Sequence, residues 1–108
     1  MTSTQFSQKI SQTKTAIFLN LNPPHRKYYI IELHRDDKGV WSVTGTYGRV
    51  DVTSKTQLKY RGSDYYDACN VLEKTINDRY SHGYTLYKET DERAPSIISL
   101  VEALLSTL

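Results

Sequence analysis

The stretch Lys27 to Arg35, the tetrapeptide Asp36-Asp37-Lys38-Gly39 and the run Val40 to Val50 constrain the fold more than any other part of the chain. Lys27 to Arg35 alternates as a strand does. Tyr28, Ile30, Glu32 and His34 fall on one face, and Tyr29, Ile31, Leu33 and Arg35 on the other, which is the more apolar. Asp and Gly in the tetrapeptide suit a tight reversal, so the two runs predict an antiparallel hairpin. A hairpin alone is marginal in water and needs further strands or a helix against its apolar face. Gly45 and Gly48 interrupt the second run, and glycine inside a strand marks a bulge, a bend or the close approach of another backbone.

The flanking sequence supplies those further elements. Residues 1–14 are rich in Ser, Thr and Gln and read as a mobile arm. Thr15 to Asn22 is short, apolar and partly β-branched, a strand that Pro23-Pro24 must end. Asp51 to Lys55 reads as a loop and Thr56 to Arg61 as a strand, with Lys55, Gln57, Lys59 and Arg61 on a basic face and Thr56, Leu58 and Tyr60 on a packing face. Gly62-Ser63-Asp64 then marks a change to helix. Ser63 is the expected N-cap, Asp64 and Asp67 complement the helix dipole, and Gly83 is the natural stop. Tyr65, Cys69, Leu72, Ile76 and Tyr80 form the expected buried stripe, and Tyr84 to Tyr87 a last short strand. After a charged linker, Pro95 and Ser96 open a second helix running to Leu108. Ile97, Ile98, Leu100, Val101, Leu104, Leu105 and Leu108 make it apolar over about half its surface, with Glu102 its one charge, so it must dock. It either covers its own domain or pairs with the same helix of a second chain.

The expected class is therefore α+β: an antiparallel sheet of four to five strands, one helix packed across it, and a C-terminal amphipathic helix. The expected organisation is an arm (1–14), a domain (15–90), and a linker with the last helix (91–108). A chain of 108 residues, 38% hydrophobic and with nine tyrosines, suits one domain with a modest core.

Several functions are excluded on the same grounds. No apolar run approaches the roughly 20 residues of a membrane-spanning helix, and the N-terminus has no apolar signal core, so a cytoplasmic protein with no membrane partner is expected. Cys69 is alone, and His25, His34 and His82 have no metal-ligand spacing. There is no phosphate loop, dinucleotide fingerprint or nucleophile elbow, and Asp64, Asp67, Glu73 and Asp78 form no acid–base pair. The expectation is no enzyme, no metal, no cofactor and no small-molecule substrate. The net charge of +2 hides an asymmetry: residues 23–62 carry +4 and residues 63–108 carry −4.

Within the basic segment, Tyr47 and Arg49 are two apart and share a face of a regular strand. An aromatic beside a cation suits nucleic-acid strands, and it equally suits a packed tyrosine with an arginine tying sheet to helix. Lys55, Lys59 and Arg61 would make a phosphate-facing edge, with Arg26, Lys27 and Arg35 joining if the fold brings them near, or they simply keep an edge strand solvated. Trp41 reads as cross-strand packing.

The run Trp41-Ser42-Val43-Thr44-Gly45-Thr46-Tyr47-Gly48-Arg49-Val50, the preceding Tyr28-Tyr29-Ile30-Ile31-Glu32-Leu33 with its acidic turn, and the helix ending Asp78-Arg79-Tyr80-Ser81-His82-Gly83-Tyr84 together resemble the WGR domain over about residues 15–90. Tyr47-Gly48-Arg49 stands where that family is named for Trp-Gly-Arg, tyrosine being similar to a common bacterial variant. The resemblance implies a sheet with one helix across it and a binding module without chemistry of its own. In its best-known members, the DNA-dependent poly(ADP-ribose) polymerases, the domain binds the end of a broken DNA strand. The tripeptide aromatic stacks on the terminal sugar there, and nearby basic residues grip phosphates. Carried over, Tyr47 takes the stacking place, Gly48 admits a backbone or sugar, and Arg49 meets phosphate or a partner carbonyl. Asp51 departs from the glycine frequent in the family, and a carboxylate there repels phosphate. Two functions are expected from this reading. One is DNA strand-end binding through Tyr47, Gly48, Arg49, Lys55, Lys59 and Arg61. The other is protein interaction or scaffolding, including a homodimer through the Ser96 to Leu108 helix.

Overall fold

The computed structural model describes residues 12–50 and 52–108. Five strands, β1 (Gln12–Asn20), β2 (Lys27–Arg35), β3 (Trp41–Arg49), β4 (Val52–Gly62) and β5 (Thr85–Thr90), form one antiparallel sheet in the order β4-β3-β2-β1-β5. Helix α1 (Tyr65–Ser81) lies on one face and α2 (Ala94–Thr107) on the other. This is the expected α+β class with five strands, and the C-terminal helix packs on its own sheet.

The sheet has two cores because β2 is central. Tyr29, Ile31 and Leu33 join Ala16, Phe18 and Val43 under α1, while Tyr28 and Ile30 join Ile17 and Leu19 under α2. The less apolar face of β2 is therefore as buried as the other, and its Glu32 is only 2% exposed. Glu32 accepts bonds from Arg93 Nε (2.9 Å), Arg93 Nη2 (3.1 Å) and the backbone N–H of Ala94 (2.7 Å). It thus caps α2 from the sheet and satisfies an N–H that the helix cannot satisfy itself. Ile97, Val101 and Leu105 spend the apolar stripe of α2 inside the domain, leaving Leu100 and Leu108 outward.

Several boundaries differ from expectation. Gln12, Thr13 and Lys14, read above as arm, begin β1, and the Thr13 hydroxyl is hydrogen-bonded to His34 Nδ1 at 2.8 Å; the rest of the arm, residues 1–11, lies outside the described residues. The loop expected over 51–55 is instead a short reversal, since Arg49 pairs with Val52 and β4 begins there; Asp51 also lies outside the described residues. The cap of α1 is Asp64 rather than Ser63, its carboxylate accepting from the N–H groups of Tyr66 and Asp67. The buried side of α1 is carried by Ala68 and Thr75 with Val71, Leu72 and Ile76, whereas Tyr65 and Tyr80 are exposed at its margins. Ala68, Val71, Leu72, Thr75 and Ile76 recur at the three- and four-residue spacing of one helix face, so the small Ala68 and Thr75 sit closest to the sheet where larger side chains are expected. Gly83 is the stop as expected, with φ +86°.

Candidate nucleic-acid interface

The unbroken pairing of β2 with β3 sets the geometry. Lys27 lies opposite Arg49, Tyr28 opposite Gly48 and Tyr29 opposite Tyr47. Directly opposite residues share a face, so Lys27, Tyr29, Tyr47 and Arg49 form a row of cations beside a row of tyrosines on the α1 side. Lys55 lies opposite Tyr47 on β4 and extends the second row. The Tyr47 and Tyr29 rings are parallel, 5.8 Å apart at 7°. Tyr29 is buried and Tyr47 is 37% exposed, so the inner ring fixes the outer one and leaves its far side to solvent. Lys27, Tyr47, Gly48, Arg49, Lys55 and Tyr84 are among the residues lining a cleft of about 310 Å³ at this corner of the sheet.

A further cation stands behind the rings. The Arg79 guanidinium lies 4.4 Å from the Tyr29 ring centre and 5.4 Å from that of Tyr84, and Lys27 Nζ is 5.7 Å from the Tyr84 ring. Arg79 Nε is buried without a hydrogen-bond partner among the described residues. Burial raises both the Tyr29 and Tyr84 phenols, and Arg79 opposes that shift in each. Arg79 sits in the last turn of α1, where a cation also complements the helix dipole. Sequence reasoning missed it. The available signal was its spacing, three and four residues after the buried-side Ile76 and Thr75.

The glycines of β3 are explained by tyrosines rather than by a ligand. A Cβ on Gly45 would lie 2.6 Å from Tyr29 Cζ, and one on Gly48 would lie 2.8 Å from Tyr28 Oη, so each glycine receives a ring from β2, on opposite faces. The approach expected at Gly48 is thus made by the chain's own Tyr28.

The basic edge of β4 is not continuous. Val43 pairs with Tyr60 but Thr44 with Leu58, so Lys59 is the extra residue of a β-bulge. The bulge reverses the alternation beyond it. Arg61 pairs with Ser42, five residues from Tyr47 along regular β3, and so lies on the α2 face about 17 Å away along the strand. The Asp36 carboxyl at that end is held below its ordinary range by hydrogen bonds from the Val40 and then the Lys38 N–H, with the charge of nearby Arg61 a smaller contribution. Of the six expected site residues, Tyr47, Gly48, Arg49 and Lys55 are together; Lys59 and Arg61 are not with them. Asp36 and Asp37 turn the chain at that remote end, Asp36 accepting from the N–H groups of Lys38 and Val40. Arg49 forms no ion pair with a described carboxylate, whereas Arg93 pairs with Glu32.

A five-stranded antiparallel sheet with a helix crossing one face, and an aromatic-Gly-Arg segment at the corner where that helix ends, defines a small binding module. The WGR domain family model matches residues 12–91, and the chain belongs to that family. WGR domains are, as a class, nucleic-acid-binding modules. No curated protein and no solved structure matches the chain. Among the described residues no helix is long and apolar enough to cross a membrane.

Proposed function

We propose that the chain is a non-catalytic module that binds DNA at the Tyr47 cleft and prefers a strand end. The observation that carries this reading is the paired layout of the cleft. Lys27 and Arg49 stand directly opposite one another, a like-charge arrangement that costs stability in an empty sheet. A phosphate between them removes that repulsion and gains two charge-assisted contacts. Beside them the exposed face of Tyr47, backed by Tyr29, offers a sugar or base a flat surface whose orientation is already set.

The test is fluorescence anisotropy with 5′-phosphorylated nicked, blunt and closed-hairpin duplexes at two salt concentrations. The expected order is nicked and blunt above closed hairpin, with affinity reduced in Tyr47→Ala and Arg49→Ala. Equal affinity for all three duplexes refutes the end preference. No binding at low salt, or binding indifferent to both substitutions, refutes the whole reading.

A further inference from the structure

We infer that α2 is a positioning element for the Tyr47 cleft, acting through the Tyr28–Glu102 hydrogen bond on the back of Gly48. The inference rests on the binding function proposed above and adds to it a part of the chain that the family match does not include. The match ends at residue 91, and α2 begins at Ala94.

Tyr28 has no exposed surface. It lies opposite Gly48, and its phenol end occupies the space where a Gly48 side chain would stand. Its hydroxyl donates to Glu102 Oε2 at 3.0 Å. Burial first, and Glu102 second, hold this phenol up at about 12, so the hydroxyl remains a donor throughout the neutral range. The ring is thus held at its tip by α2, with Ser54 of β4 hydrogen-bonded to the same hydroxyl, and presses on the middle residue of Tyr47-Gly48-Arg49 from the face opposite the cleft. Other bonds fix α2 itself. Glu32 and Arg93 anchor its start, and Arg26 Nη2 donates to the Leu105 carbonyl near its end. Val50 of the reversal packs on the same core, and Val50, Val52 and Thr53 face Glu102 and Ala103 across a cleft behind the reversal. Gly48 has no side chain to hold its own place, so the ring behind it decides where the Tyr47 and Arg49 backbones stand.

The test uses the full chain with Tyr28→Phe, Glu102→Ala, Glu102→Gln and the Tyr28→Phe/Glu102→Ala double variant. One readout is affinity for the 5′-phosphorylated nicked duplex; the other is backbone amide exchange of Gly48 and Arg49 without DNA. Glu102→Ala is expected to weaken binding about five-fold, a single hydrogen bond's worth; Tyr28→Phe, which also loses the Ser54 bond, at least as much; and the double variant no further than Tyr28→Phe alone. Glu102→Gln keeps an acceptor oxygen and is expected to restore binding to within about two-fold of the parent. Exchange at Gly48 and Arg49 should quicken in Tyr28→Phe and Glu102→Ala, but not in Glu102→Gln. Unchanged affinity in Tyr28→Phe and Glu102→Ala, while Tyr47→Ala abolishes binding, overturns the positioning role and leaves the binding function standing. If the parent binds no DNA, the binding function fails instead, and the exchange readout alone decides: quickening confined to Gly48 and Arg49 supports the prop, and unchanged exchange overturns it.

Discussion

Replacing Lys55 with glutamine removes one of the three cations, Lys27, Arg49 and Lys55, that line the Tyr47 cleft. Each phosphate neutralised on duplex DNA contributes about 0.9 to the slope of log affinity against log salt; one phosphate shared by Lys27 and Arg49 and a second on Lys55 predict a slope of about −1.8, and the first alone about −0.9. Raising salt from about 50 to about 200 mM then weakens the parent about 12-fold and Lys55→Gln only about 3.5-fold. The assay is an anisotropy titration of the nicked duplex at four or more salt concentrations. Arg61→Gln is the matched control, because the β4 bulge puts Arg61 on the opposite face beside Asp36. Its slope should equal the parent's. A continuous basic edge on β4 predicts that both variants flatten the slope alike. That result, or a parent slope near zero, refutes the placement of phosphates at this corner.

Three further predictions concern the scaffold. Glu32→Ala strips three accepted bonds from a carboxylate that is 2% exposed, one of them to the N-terminus of α2; with half-exposed Arg93 contributing little, the loss should be about 2–3 kcal/mol and lower Tm by about 10 °C or more, measured by thermal denaturation. Tyr28 binds its proton more tightly folded, at about 12, than the ordinary phenol value of 10.0, so its contribution is complete below pH 10 and is lost as pH rises through 12. Linkage makes that loss about 3 kcal/mol, urea titrations across this range should show it, and Tyr28→Phe should flatten the decline. Gly45→Ala drives a methyl into the Tyr29 ring and should cost at least about 2 kcal/mol, with part of the stability recovered in Gly45→Ala/Tyr29→Leu but not the DNA affinity, since the backing ring of Tyr47 is then gone.

The parts of this fold that a local pattern encodes could be read directly. β2 announces itself by alternation and its acidic turn, and its bounds agree with the expectation residue for residue. The tripeptide corner was legible because Tyr47 and Arg49 lie on a strand whose pairing with β2 has no irregularity. The β4 edge was not, because a bulge at Lys59 leaves no mark in a sequence that continues to alternate through Arg61. Long-range pairings were equally silent. Nothing near Glu32 points to Arg93, 61 positions away, and nothing near Gly48 names Tyr28 as the ring that fills its place. Arg79 lay between these cases: its helical spacing was visible, but a cation on a packing stripe makes sense only once two tyrosines are known to face it.

With a helix over the central strands on each broad side of the sheet, a visitor finds only the outer strands and the perimeter. Modules that spread single strands over an open sheet stack successive bases across its width, and that route is closed here. Tyr47 stands on the rim, where β2 starts and the chain reverses from β3 into β4. A polymer running on in both directions touches such a rim tangentially, whereas one that stops can set its last unit squarely against it.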